Sequence, residues 1–247
     1  MLVRARSILA FACLLVAAVP IGTARAADNT VQRQDMDTII HDYLMHHPDV
    51  LIAALRVAED KLNQDNDAKA TQAVVQNRHA IFDDPATPVG GNPHGTATIV
   101  EFFDYRCPYC KQVQPSLEAL LKQDPDLRLV YKEFPILGPT SVVAAHAALA
   151  AQQQGKYAAF HAAMMAAHGN ITDDTVYQVA ASVGLDVNRL KHDMAAPEIG
   201  QQLKANMTLA DALQIHGTPA FIVGDHLVPG AIDLTELKTM VADARKQ

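Results

Sequence analysis

The residues of this 247-residue chain whose types and spacing carry the most chemistry are two cysteines, Cys107 and Cys110, in the run Cys107-Pro108-Tyr109-Cys110. They follow an apolar segment, Thr98 to Asp104, that reads as a strand, and they precede Gln112 to Gln123, which reads as a helix. A helix start presents unpaired N–H groups and partial positive charge, and both favour a thiolate. The thiolate is the reactive species, so the first cysteine is expected to titrate below the free value of about 8.5. Cys107 is then the nucleophile, which attacks a substrate disulfide or carries one to a substrate thiol through a mixed disulfide. Cys110, one helical turn on, resolves that intermediate. Pro108 suits the first helical position, where its missing N–H would have been unpaired anyway.

Two other chemistries use paired cysteines. Structural zinc needs four ligands, and the sequence has neither a second C-x-x-C nor a paired histidine cluster. His41, His46 and His47 fall in a helical stretch and are expected to be solvated or packed. A purely structural disulfide would not need the strand–helix setting. Two thiolates could hold Cu(I) as a secondary role; no other metal or cofactor is expected. A second element, Gly217-Thr218-Pro219-Ala220-Phe221, opens a later strand and is weak on its own.

Three regions are expected to support these residues, behind a leader. Arg4 and Arg6 precede a 12-residue apolar run, Ile8 to Val19, and Ala24-Arg25-Ala26 follows, so residues 1–26 read as a cleaved secretory signal. Twelve residues make about 18 Å of helix against a bilayer core of ~30 Å, which argues against an anchor. Cys13 lies inside the apolar run and leaves with the leader. Removal of 26 residues leaves 221, and the loss of three arginines takes the formal charge from −7 to −10. So acidic a chain is a poor partner for nucleic acid or anionic lipid. Two cysteines in an exported protein suit redox chemistry in the periplasm better than a disulfide scaffold.

Residues 27–84 read as a helical arm. Met36, Ile39, Ile40, Tyr43 and Leu44 recur at helical spacing, Pro48 opens a second helix, and Leu51, Leu55, Ala58 and Leu62 step as a short coiled-coil seam. Beyond Leu62 the seam fades into Asp65, Asn66 and Lys69. Such a stripe buries itself either on the main domain or on another copy, and self-association into a homo-oligomer is the expectation. Residues 85–95, rich in proline and glycine, read as a linker. Residues 96–247 then run strand, helix, strand (Leu127 to Phe134), a helical block over 139–216, a hairpin (Pro219 to Val223 with His226 to Val228) and a closing helix, Thr235 to Arg245. That order is α/β.

With these residues in hand, the segment from Thr96 to Gln247 resembles the DsbA-type family of the thioredoxin superfamily. The likeness rests on Glu101-Phe102-Phe103-Asp104-Tyr105-Arg106 running into the cysteine motif, on Tyr131-Lys132-Glu133-Phe134, and on Gly217-Thr218-Pro219-Ala220-Phe221. It implies a thioredoxin fold with a helical insertion, a cis Pro219 facing the dithiol, and Thr218 with Pro219 as a rest for substrate backbone. It also implies a buried carboxylate, Glu101, beside a lysine on the next strand, Lys132, with Glu101 taking the proton of Cys110. Tyr109 stands where the strongest oxidants of the family have histidine, which implies a less oxidising couple; Thr218 resembles the isomerase branch. The arm resembles that of the suppressor-of-copper-sensitivity protein C (ScsC) group. The resemblance therefore implies a disulfide isomerase or reductase for exported proteins with cysteines, kept reduced by a membrane redox partner and assembled through its arm, without a membrane anchor of its own. A monomeric dithiol oxidase and a copper(I)-binding module in copper tolerance are the alternatives.

Overall fold

A computed structural model describes residues 25–246, with side chains for 32–246; apart from its last two residues, the expected leader lies outside them. The chain divides into two compact units, Met1–Asp60 and Lys61–Gln247. The first holds α1 (Arg25–His46) and the start of α2 (Pro48–Gln76). His47 separates the helices, and Pro48 begins the second, where proline is tolerated. The apolar stripe expected there exists as surface: Met36, Ile39, Ile40, Tyr43, Leu51 and Leu55 are all about half exposed in the single chain. No described helix is long and apolar enough to cross a membrane.

In the second unit α2 ends at Gln76, and a short α3 (Arg78–Phe82) follows; the break falls at Asn77, whose side chain donates to the Ala73 carbonyl. The elements after it are β1 (Val89–Gly91), β2 (Ala97–Phe103), α4 (Pro108–Gln123), β3 (Leu127–Glu133), the helical block α5 (Pro139–Gln153), α6 (Tyr157–Ala166), α7 (Asp173–Ser182), α8 (Val187–Asp193) and α9 (Pro197–Ala212), then β4 (Ala220–Val223), β5 (His226–Pro229) and α10 (Leu234–Ala244). The sheet order is β1-β3-β2-β4-β5. β2 and β3 are parallel, joined by α4, and the other three pairings are antiparallel. This is the α/β arrangement expected, with the insertion where the alanine-rich block predicts it. Gly155 and Gly184 sit at positive φ just beyond the ends of α5 and α7, a conformation that glycine adopts without a Cβ penalty.

One expectation is corrected. The stretch 85–95 is not a plain linker, because its centre is β1, the edge strand beside β3. The glycines that suggested a linker make the pairing possible: Gly91 is at φ 67°, and a Cβ there would collide with the Leu127 carbonyl.

Side chains alternate along each strand, so the sheet has two buried faces. Ile99, Phe103, Leu129 and Phe221 join one core with α4, α5, α6 and α10. Val100, Phe102, Val130 and Ile222 join the other, with Val74, Ile81 and Leu213. The cysteines belong to the first face.

Candidate functional site

Cys107 is the N-cap of α4 and Pro108 its first residue. The cap places the sulfur at the open end of the helix, and the thiol donates to the Thr218 carbonyl at 3.1 Å. The Thr218-Pro219 bond is cis, as the family likeness implies. Both cysteines are free thiols. The Cys107 thiol is held down at about 5, chiefly by a hydrogen bond from Cys110; Thr218 and the N–H groups of Cys110 and Tyr109 add to this, and burial opposes it. Cys110 is fully buried, and its thiol is pushed far up by that same hydrogen bond, by burial and by the charge of Glu101. The two thiols are thus strongly unequal, with the reactive one outermost. Tyr109 projects into solvent, 60% exposed. Beside the cis bond, residues 214–219 with Leu227, Pro229 and Gly230 line a hollow of about 190 Å³.

Glu101 sits on β2, on the face of the cysteines. It is fully buried, and neither carboxylate oxygen has a hydrogen-bond partner among the described residues. Burial, with a smaller contribution from Cys107, raises its carboxyl to about 8.

Lys132 is not its partner, contrary to the expectation. The β2–β3 register sets Glu101 opposite Tyr131 and Lys132 opposite Phe102, so the two side chains leave opposite faces of the sheet. Lys132 donates to the Ala80 carbonyl and to Thr87 Oγ1, both at 2.8 Å, and lies 3.6 Å from Asp84. Burial lowers its ammonium to about 8, against the pull of Asp84. It ties the segment after α3 to the back of the sheet.

The carboxylate of β3 on the same face as Glu101 is Glu133, which the sequence reading passed over. Glu133 is buried, with the hydroxyls of Tyr105 and Tyr157 at 3.0 and 2.8 Å from Oε1. Tyr105 also contacts His161 Nδ1 at 3.2 Å, and His161 Nε2 lies 3.4 Å from Gln114 Oε1. The available signal was a carboxylate closing a strand face whose other positions, Leu127, Leu129 and Tyr131, are apolar or aromatic. Asp104, also missed, folds the loop after β2 by accepting from the N–H groups of Arg106 and Leu137. Lys111, next to Cys110, gives all three donors to the carbonyls of Met164, Met165 and Ala167, and so fixes α4 on the C-terminal end of α6.

A buried, unequal dithiol at a helix start, a carbonyl and a cis-proline against the outer sulfur, and an unpartnered acid beneath it can together support thiol–disulfide exchange. The family model of the DSBA-like thioredoxin domain matches residues 98–242. A thioredoxin-like oxidoreductase from Silicibacter pomeroyi DSS-3 is 49% identical in sequence, covering 69% of this chain and 99% of its own, with a TM-score of 0.68. The catalytic domain of Proteus mirabilis ScsC is 29% identical, covering 72% and 99%, with a TM-score of 0.66. Among curated proteins the chain is similar to the Na(+)/H(+) antiporter NhaA 1 of Salinispora arenicola, 29% identical over 158 residues. The chain spans about a quarter of the length of the curated relatives it matches.

Proposed function

This chain belongs to the DSBA-like thioredoxin family, and from that premise we propose that it is an exported disulfide isomerase or reductase that acts on proteins in the periplasm through Cys107 and Cys110. One observation carries the reading: the Cys107 sulfur, held at about 5, lies at the head of α4 and 3.1 Å from the carbonyl of the cis Thr218-Pro219 bond.

The Cys107 thiolate attacks one sulfur of a client disulfide. A Cys107–client S–S bond forms, the client's own S–S bond breaks, and its other sulfur leaves as a thiolate. The client backbone rests on Thr218 and Pro219. Cys110 then loses its proton to Glu101, and its sulfur attacks Cys107. The Cys107–Cys110 bond forms as the client thiolate leaves, so the client gains two electrons and the dithiol loses two. The timing follows from the geometry. While Cys107 is a thiolate its charge helps to keep Glu101 protonated; conversion to a mixed disulfide removes that charge, Glu101 releases its proton to solvent more readily, and the carboxylate so formed is available to take the proton of Cys110. Lys132, on the other face, takes no part in this transfer.

Two features favour isomerase or reductase work over simple oxidation. Tyr109 supplies no positive charge to stabilise the thiolate further, and the exposed apolar residues of α1 and α2 suit assembly of several copies, whose sites could hold one misfolded client together. A membrane redox partner would return the dithiol to its reduced form.

The test is reactivation of scrambled ribonuclease, with light scattering on the same sample. We expect reactivation, its loss in Cys107→Ser, and a mass above one chain. Rapid oxidation of a reduced peptide by a monomer that fails to reactivate ribonuclease would replace this reading with a dithiol oxidase.

A further inference from the structure

The network around Glu133 has only one consistent arrangement of protons. Gln114 Nε2 donates to Glu118 at 3.2 Å; the reverse amide orientation would set two acceptor oxygens against each other. Gln114 Oε1 therefore faces His161 Nε2, which must carry a proton. His161 is buried among the rings of Phe103, Tyr105, Tyr131 and Tyr157, with Lys111 the nearby cation, and these hold it neutral, well below the usual imidazole range. A neutral imidazole protonated at Nε2 is bare at Nδ1, so it accepts from the Tyr105 hydroxyl at 3.2 Å. That spends the one proton of Tyr105. The 3.0 Å contact between Tyr105 and Glu133 Oε1 then needs its proton from Glu133 itself. Oε1 still accepts from Tyr157.

We infer that Glu133 is a neutral carboxylic acid and a positioning residue for the dithiol: its O–H begins a directed chain through Tyr105, His161 and Gln114 to Glu118, and its neutrality leaves Glu101 as the one carboxyl on that face free to exchange a proton with Cys110. The charged and titratable groups facing Glu133 are Glu101, Asp104 and Tyr105 from the β2 side, and Tyr157 and His161 from α6. A negative Glu133 would raise Glu101 further by like-charge repulsion and hold it in the protonated form, which cannot take a proton from Cys110. Burial pushes the Glu133 carboxyl well up, in the same direction as the hydrogen-bond argument.

The inference rests on the exchange chemistry proposed above, and the experiment separates the two. Infrared difference spectra between the reduced protein and Glu133→Gln report the protonation state with no client present. We expect a carboxylic-acid carbonyl band that Glu133→Gln removes. The pH profile of mixed-disulfide resolution is then read with an aromatic disulfide whose released thiol is coloured. Gln carries no charge, as the inferred acid carries none, so the Glu133→Gln profile should match that of the unaltered protein within about 0.3 pH unit. Glu133→Leu leaves Tyr157 without an acceptor and Tyr105 without its donor, and should displace the profile by about one unit or more. Absence of the acid band, a Glu133→Gln profile moved down by about a unit, or a Glu133→Leu profile that coincides with the unaltered protein would each overturn the inference. If Glu133→Leu does not fold, the band and the Glu133→Gln profile still decide. Failure of the unaltered protein to resolve the mixed disulfide would sink the exchange reading instead, and leave the infrared result to stand.

Discussion

Glu101 and Lys132 lie on adjacent central strands, are equally buried, and serve opposite ends. On the back of the sheet, the Lys132 ammonium meets a carbonyl, a hydroxyl and a carboxylate, so its burial is in part compensated and its product is a fixed segment. On the front, Glu101 has no partner, and its uncompensated burial produces a displaced carboxyl beneath a thiol. Paired, a buried charge builds structure; unpaired, it leaves a carboxyl whose titration is moved toward neutrality.

The strongest attack on that contrast is Glu101→Gln. If Glu101 takes the proton of Cys110, resolution of the mixed disulfide should slow roughly 10²-fold, as measured by single-turnover release of the leaving thiol. The same change should stabilise the protein. The folded carboxyl lies at about 8 against an ordinary 4.5, so the native form binds the extra proton; its contribution is complete below 4.5 and is lost as pH rises through about 8. Urea melts at pH 7 should favour the variant by on the order of 2 kcal/mol, and at pH 4 the two should converge. A loss of stability at pH 7 would mean that Glu101 has a partner after all.

Lys132→Met should do the reverse. It removes the donor to the Ala80 carbonyl and Thr87 Oγ1 and the counter-charge of Asp84, and should cost roughly 3 kcal/mol in the same melts while leaving the Cys107 thiolate titration in place. A large shift in that titration would restore Lys132 to the active site. The smallest effect sharpens the front face itself. The Cys107 thiol is depressed from 9.0 to about 5, so its contribution to the reduced protein is complete above about 9 and is lost as pH falls through about 5. The stability gap between the reduced and oxidised proteins should shift in favour of the oxidised form over that descent, as followed by paired thermal melts.

The sequence already held the dithiol, the helix that starts at Pro108, the central strands and the alanine-rich insertion, because each is encoded locally by periodicity or by punctuation. The thioredoxin-type architecture and the cis bond at Pro219 came with the family likeness. What failed was relational. Lys132 lies near Glu101 in a linear reading of two strands, but a one-residue offset in register sends a side chain to the other face. Glu133, one residue further, was quoted within a motif and given no role, since only the third dimension brings Tyr105, Tyr157 and His161 onto it. The glycine-rich stretch before the first central strand read as a linker because its strand is three residues long and lacks the alternation that marks longer ones.

That short strand has a bearing on the company the protein keeps. The isomerase or reductase role proposed above would surround the protein with peptides in search of a strand to pair with, and any long open sheet edge would template their aggregation. Here one rim of the sheet is Val89-Gly90-Gly91, and the other is His226 to Pro229, which ends on a residue with no N–H to offer. Neither rim exceeds four residues, so the proposed exchange would grip a client by its sulfur without knitting it into the sheet.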